Sequence, residues 1–391
     1  MNNTPNTQVW VFGSGDCGQL AIDEDTWSVE RPLQHPFFPS KHIIQVSAGG
    51  LHTLALSAHG HVYSWGCNDE KALGHEAPEF TVSMVQGLEG VQVVQVAAGD
   101  SISAALSAQG QVYTWGTFRD SKGLLGHSSS TSLNVDVLAK RKPTPINEDD
   151  LMQSRPVLIP GLSGIRSIAA GSNQLFAINT HGELFSWGCG EQGQLGRRVL
   201  ERHKHLGLRP TNVTPRMGRQ HIPIAKVAPG AYHTLLLTTQ GQVYAMGHNN
   251  YGQLGTGDME ACMTPMPLSF NEPIIDAACG EHHSLVLTQS GRLYAAGRND
   301  AGELGCSQDS TSHSANFVPV QIPVRVRSMA AGGHHSLAVS EDERVYAWGY
   351  GEMHQLGLGH DQVVHTPTPL SFTSAVLQAS CGAQHSVMLT K

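Results

Sequence analysis

Five histidines, His52, His233, His283, His335 and His385, recur in one local context: a residue and Gly, two variable residues, His, then Ser or Thr and an apolar run. Imidazole is the commonest metal ligand and a general base near neutral pH. Equivalent positions of successive repeats cannot converge on one ion, and no H-E-x-x-H or Cys/His cluster accompanies them. The column therefore reads as structural, each ring bonding a backbone group between neighbouring repeats. Cysteines stand at 17, 67, 189, 262, 279, 306 and 381, an odd number with no C-x-x-C pair. That argues against a zinc ribbon or a disulfide framework and fits a reducing intracellular compartment. Gly13-Ser-Gly15-Asp-Cys-Gly18 and Gly188-Cys-Gly190-Glu-Gln-Gly193 match G-x-G-x-x-G. A dinucleotide site needs a strand before that motif and a helix after it; here both copies sit in a repeated β-turn. No phosphate-binding G-x-x-x-x-G-K-[ST] occurs, no G-x-S-x-G stands in a strand–turn–helix context, and no paired carboxylates can be placed. The expectation is a protein that makes no covalent bond and needs neither cofactor nor metal.

Composition narrows the class further. Charged residues make up 14% of the 391 positions, against roughly 25% in an ordinary soluble protein, which disfavours long solvated helices. Glycine, at 43 residues, is over-represented. The net charge of −8 argues against a globally basic nucleic-acid binder. No run of 18 apolar residues suits a membrane helix, and the start MNNTPNTQVWVFG lacks the charged and apolar regions of a secretory signal.

The elements that carry these residues repeat. An apolar pair, an aromatic or apolar residue, Gly, a polar stretch and Leu-Gly recur as VWVFGSGDCGQL, VYSWGCNDEKALG, VYTWGTFRDSKGLLG, LFSWGCGEQGQLG, VYAMGHNNYGQLG, LYAAGRNDAGELG and VYAWGYGEMHQLG. A second run, from AGGLHTLAL at 48–56 to CGAQHSVML at 381–389, also has seven copies, joined to the first by turns such as SAHGHV. Two β-rich runs around a Gly-containing turn predict a hairpin. The first pattern's glycines, at 13, 66, 116, 188, 247, 297 and 349, are spaced by 53, 50, 72, 59, 50 and 52. A period near 50 with all-β content predicts a seven-bladed β-propeller. The chain opens on the second half of a repeat, at Val9–Gly13, and finishes on the first half, at Cys381–Leu389. Pairing of these half-repeats closes the ring and removes exposed sheet edges. The expected organisation is a short tail over 1–8 and one propeller over 9–390, with insertions near 128–160 and 197–222. Trp65, Trp115, Trp187 and Trp348 occupy equivalent positions and read as packing between blades. The insertions are surface loops, read either as binding elements or as plain length variation.

Departures from the repeat single out Asp100 in the second copy, Asn173 and Gln174 in the third, and the pair His282 and His283 in the fifth. The turn Thr117–Leu125 is two residues longer than its sisters and forms a protruding hairpin. In its repeat, and most specifically in YSWGCNDEKALG, TWGTFRDSKGLLG and SWGCGEQGQLGR, the chain resembles the RCC1 family, the regulators of chromosome condensation, from about Val9 to Leu389. The resemblance implies a guanine-nucleotide exchange factor for the small GTPase Ran that also docks on nucleosomes. It implies a β-wedge at Phe118, Arg119, Asp120, Ser121, Lys122, Gly123, Leu124 and Leu125, which pushes near the GTPase's phosphate-binding region. It also implies an exchange surface at Asp100, His282 and His385, with Asp16 as a further acidic contact. Asn173 stands where the family carries an aspartate, keeping hydrogen bonding but losing charge. The loop with Arg197, Arg202, Lys204 and Arg209 corresponds to the region used toward nucleosomes or DNA. The basic tail of the family's founding member has no counterpart in Met1–Thr7, and Lys140-Arg141-Lys142 is a weak import signal, so nuclear residence rests on the resemblance.

Three functional readings follow. The first is exchange on Ran through the wedge and the propeller face. The second is a scaffold that binds protein or chromatin without exchange activity. The third is an exchange factor or effector for another small GTPase.

Overall fold

The computed structural model describes residues 7–127, 148–306 and 312–391. The tail's first six residues, most of the insertion near 128–160, and Lys140-Arg141-Lys142 lie outside the described residues. Seven four-stranded antiparallel sheets form the blades of a closed propeller. Blade 1 comprises Ile43–Ala48, His52–Ser57, Val62–Gly66 and Ser83–Met84, from the channel outward. Blade 2 comprises Val93–Ala98, Ile102–Ser107, Val112–Gly116 and Gln153–Leu158, and blade 3 Ile165–Ala170, Gln174–Asn179, Leu184–Gly188 and Thr211–Asn212. Blades 4, 5 and 6 begin at Ile224, Ile274 and Val326 and repeat the pattern. Blade 7 combines Val376–Cys381 and His385–Thr390 with Gln8–Ser14 and Ser28–Gln34 from the other end of the chain. Its seam pairs Val9 with Leu389, Val11 with Val387 and Gly13 with His385. The two repeated sequence runs are the second and third strands of each blade, as His52 opposite Gly66 shows in blade 1.

Those two strands are buried on both faces because each blade is packed between two others. The apolar core is accordingly a ring of clusters at the blade interfaces, such as Leu54, Leu56 and Trp115 between blades 1 and 2. The four tryptophans are fully buried. Three donate their indole N–H to a loop carbonyl of the preceding blade: Trp65 to Gln19 (2.9 Å), Trp115 to Ala72 (2.7 Å) and Trp348 to Glu303 (2.9 Å).

Around the channel the blades touch through glycine. A Cβ on Gly49 would lie 2.0 Å from the carbonyl oxygen of Gly99, and the same approach links Gly99 to Gly171 (2.5 Å), Gly171 to Gly230 (2.3 Å) and Gly230 to Gly280 (2.3 Å). It continues from Gly280 to Gly332 (2.4 Å) and Gly332 to Gly382 (2.4 Å), and returns from Gly382 to Gly49 (2.5 Å). The residue after each of these glycines donates its backbone N–H to the next blade, as Gly50 does to Gly99 (3.1 Å) and Asp100 to Ser172 (2.8 Å).

The histidine column lies just behind this ring. Its partners are side-chain hydroxyls, not the backbone groups expected from sequence: His52 Nε2 meets Ser103 Oγ, His233 meets Ser284, His283 meets Ser336, His335 meets Ser386 and His385 meets Thr53, at 2.8 to 2.9 Å. Ser103, Ser284 and Ser386 donate their own protons to the carbonyls of Ala72, Gln253 and Gln355. Their oxygens therefore accept from an Nε2–H, which assigns the tautomer. Burial pushes His52 and His283 down to about 4, and His233, His335 and His385 down to about 3.

Two outcomes test this frame. Gly99→Ala places a methyl against the next blade and should cost about 2 kcal/mol or more. Gly90→Ala, where nothing lies within 4 Å of the new Cβ, should cost only the strain of its positive φ, about 1 kcal/mol; equal losses in urea unfolding would contradict the glycine ring. The buried histidines have folded values below the unfolded value of about 6.5, so the unfolded chain binds more protons between the two. Stability from these clasps is complete above that value and falls as pH drops toward 4, so the thermal midpoint should be lower by about 5 °C or more at pH 5 than at pH 7.5. An unchanged midpoint would contradict neutral clasps.

Candidate functional site

One mouth of the channel opens into a recess of about 540 Å³ lined by all seven blades. The glycine ring floors it. The residues that follow those glycines, including Asp100, Ser172 and Glu281, point around its rim, and Arg119–Ser121 of the expanded hairpin overhang one side. The wedge and Asp100 therefore share a face.

Asp100 is held by its own backbone N–H bond to Ser172. Its carboxyl reaches solvent, yet protein surrounds it on all sides of the recess. That enclosure pushes it up to about 6; Glu281 and Glu70 add to the rise, while the Ser172 hydrogen bond and Arg119 oppose it. Two blades further round from Ser172, Glu281 meets His334 Nε2 at 3.2 Å, and His334 Nδ1 lies 3.6 Å from the buried carboxylate of Glu303. The Glu281 hydrogen bond first, then the nearby Glu303 carboxylate, push His334 up to about 9, so it is cationic at neutral pH. His282 is the opposite case, pushed down to about 4 by burial. Its ring stacks on Tyr232 at 5.3 Å and tilts against Tyr251 at 4.8 Å.

The hairpin pairs Phe118–Asp120 with Gly123–Gly126. Its root is apolar: Phe118 and Leu125 are buried with Trp187 and Leu208. Unlike the other three, the Trp187 indole N–H has no acceptor among the described residues. The tip is polar. The Arg119 backbone N–H donates to Asn173 Oδ1 (2.9 Å), and the Arg119 guanidinium pairs with Glu70. Ser121 donates its N–H and hydroxyl to the Glu191 carboxylate at 3.0 and 2.9 Å.

Several sequence expectations change at this point. His385 is fully buried and bonded to Thr53, so it belongs to the inter-blade clasps and cannot touch a partner. Phe118 and Leu125 anchor the wedge from below rather than forming its contact surface. Asp120 is turned inward to Lys204, with only 1% of its side chain exposed. Lys204 is thereby engaged, and Arg197 donates to the carbonyls of Gly207 (3.1 Å) and Arg209 (3.3 Å) within its own loop. Neither is a free cation for nucleic acid, whereas Arg202 and Arg209 are exposed. Asn173 tethers the hairpin through its amide oxygen. Asp16 is exposed but stands outside the recess, in an acidic rim with Asp69 and Glu79 near Cys17. Arg119, Ser121 and Lys122 form the exposed tip, with Gly123 and Leu124 half-buried.

Glu281, His334, Tyr232 and Glu191 were not singled out from sequence. Glu281 falls in the same repeat column as Asp100, so aligning that column would have found it; nothing marks Glu191 among the polar turn residues. Cys67, Asp69 and Glu79 have ligand atoms within 4.8 Å of one another. Burial first, then the neighbouring carboxylates, push the Cys67 thiol up to about 11. No helix among the described residues is long and apolar enough to cross a membrane.

The profile of the RCC1-like domain matches residues 8–388. The Xenopus laevis regulator of chromosome condensation is 35% identical over 407 residues, covering 100% of this chain and 91% of that protein. The Saccharomyces cerevisiae guanine nucleotide exchange factor SRM1 is 32% identical, with 97% and 86% covered. The crystal structure of Prp20p from Saccharomyces cerevisiae, described with its binding properties to Gsp1p and histones, superposes with a TM-score of 0.87 at 31% identity, covering 98% of this chain and 91% of that one.

The Asp100 carboxyl should titrate near 6 by carbon-detected NMR. In Glu281→Gln its midpoint should fall, because a like charge is removed; a midpoint in the ordinary aspartate range in both proteins would contradict the enclosed carboxylate.

Proposed function

The chain belongs to the RCC1-like family, and from that premise we propose that it is a guanine-nucleotide exchange factor for a small GTPase, Ran foremost. The observation that carries this reading is the meeting of the wedge, Asp100 and Glu281 at one mouth of the channel, with His282 stacked on Tyr232 of its lining. Kinship with SRM1 and Prp20p supports it.

Such a protein works by linkage. It binds the nucleotide-free GTPase more tightly than the loaded form, and the same factor weakens nucleotide binding. A picomolar nucleotide constant corresponds to about 16 kcal/mol, so no single side chain suffices. The wedge tip, Arg119, Ser121 and Lys122, displaces the phosphate-binding loop. Asp100, ionised above about 6, takes the lysine that the departing phosphates release and repels the phosphates themselves. The neutral His282–Tyr232 stack gives the partner a flat, half-buried surface. His334⁺ holds Glu281 in place, so the acidic corner is fixed before the partner arrives. Asn173 serves through its amide oxygen, which orients Arg119, so the charge absent there is not required for the tether. Exposed Arg202 and Arg209 are the contacts for nucleosomes or DNA, and residence in the nucleus goes with this role.

The test is release of a fluorescent GDP analogue from Ran and from a panel of other GTPases, with catalytic amounts of the protein. Acceleration of Ran is expected, slowed about tenfold or more in Asp100→Ala and in His282→Ala. Acceleration of another GTPase alone would transfer the assignment to that protein, and no acceleration anywhere would leave a scaffold.

A further inference from the structure

The insertion after Leu195 folds back onto the wedge. Its kinked 3-10 segment, Glu201–Leu208, broken by non-helical φ/ψ at His203, delivers Lys204 to Asp120 and Glu201 to Lys122. Leu208 enters the apolar cluster that holds Phe118 and Leu125. Arg197 bonds the carbonyls at the segment's far end, closing the insertion into a unit. A cleft of about 240 Å³, rimmed by Glu191, Val199, Glu201 and Lys204, lies under the hairpin tip. The tip therefore does not rest on an apolar floor; its angle is fixed by hydrogen bonds and ion pairs.

We propose that this kinked segment is a brace for the wedge, with Lys204 as a positioning residue that sets the height of the tip over the recess. Its effect on exchange rests on the function proposed above. The Lys204–Asp120 pair is the principal strut. Asp120 has almost no solvent contact, and a buried carboxylate that loses its cation is strongly destabilised. Lys122–Glu201 is exposed on both sides and contributes less. An insertion that would otherwise be a surface loop thus couples blade 3 to the element rooted in blade 2.

The experiment compares wild type, Lys204→Met, Lys204→Arg and Asp120→Asn in two readouts. Hydrogen exchange of the free protein should rise about tenfold in residues 119–124 for Lys204→Met and Asp120→Asn, with blade strands unchanged. GDP release from Ran should lose about tenfold in kcat at constant KM in those two variants, because the docking face is intact while the tip is misplaced. Lys204→Arg should restore both. Unaltered protection of residues 119–124 in both charge-removing variants overturns the brace, whatever the activity. Loss of protection throughout the blades in both also overturns it, since Lys204 would then support the fold at large. A wild type that accelerates no GTPase removes the exchange reading, and hydrogen exchange then decides the brace alone.

Discussion

Seven glycine backbones pressed against seven carbonyls fix the geometry of this molecule. Around the channel, each blade approaches the next so closely that no Cβ fits between them. The backbone N–H of the following residue then bonds across the same gap. That contact sets the tilt between blades. Because seven equal steps return to Gly49, it also lets the two chain ends meet in one sheet. A closed ring leaves no unpaired inner edge; seven of the 43 glycines form it, and most of the others stand at positive φ outside it.

Outside that ring, a layer of imidazole–hydroxyl contacts repeats around the circle. Gln174 takes the histidine's place in blade 3, donating to the Gly230 carbonyl at 2.6 Å, and Ile102 takes it in blade 2. The interface that Ile102 faces is the one over which the wedge stands, and there apolar packing of Ile102, Trp187, Phe118 and Leu208 replaces the polar clasp. Buried, neutral imidazoles suit this layer because each finds one hydroxyl partner. The same physics makes the histidines poor contact groups, which is why His385 belongs to the scaffold and His282, one residue earlier in its repeat, belongs to the surface.

Electrostatics at the mouth follow from the fold. The backbone position after each ring glycine is fixed by its bond to the next blade, so a side chain placed there, as at Asp100 or Glu281, starts from the rim of the recess. Asp100 responds by holding its proton more firmly; Glu281 is instead paired by His334⁺. The result is an acidic mouth beside a hairpin held by hydrogen bonds and ion pairs.

The sequence by itself determined the number of blades, the closure of the ring and the identity of the protruding hairpin. Each of these is written as a local period of β-rich runs and turns, and the expanded turn at Thr117–Leu125 breaks that period openly. It also marked Asp100 as a departure from its column, and the paired His282 and His283, whose counterparts in the sixth copy are His334 and His335. Tertiary structure decided which side chains face outward and which pair with one another. Lys204 and Asp120 are separated by 84 positions, and nothing in either neighbourhood encodes their contact. The same holds for Glu191 beneath Ser121, His334 between Glu281 and Glu303, and the buried rings of Phe118 and His385. Periodicity in a chain reports local backbone geometry, whereas charge pairing and burial depend on which distant segments the closed ring brings together.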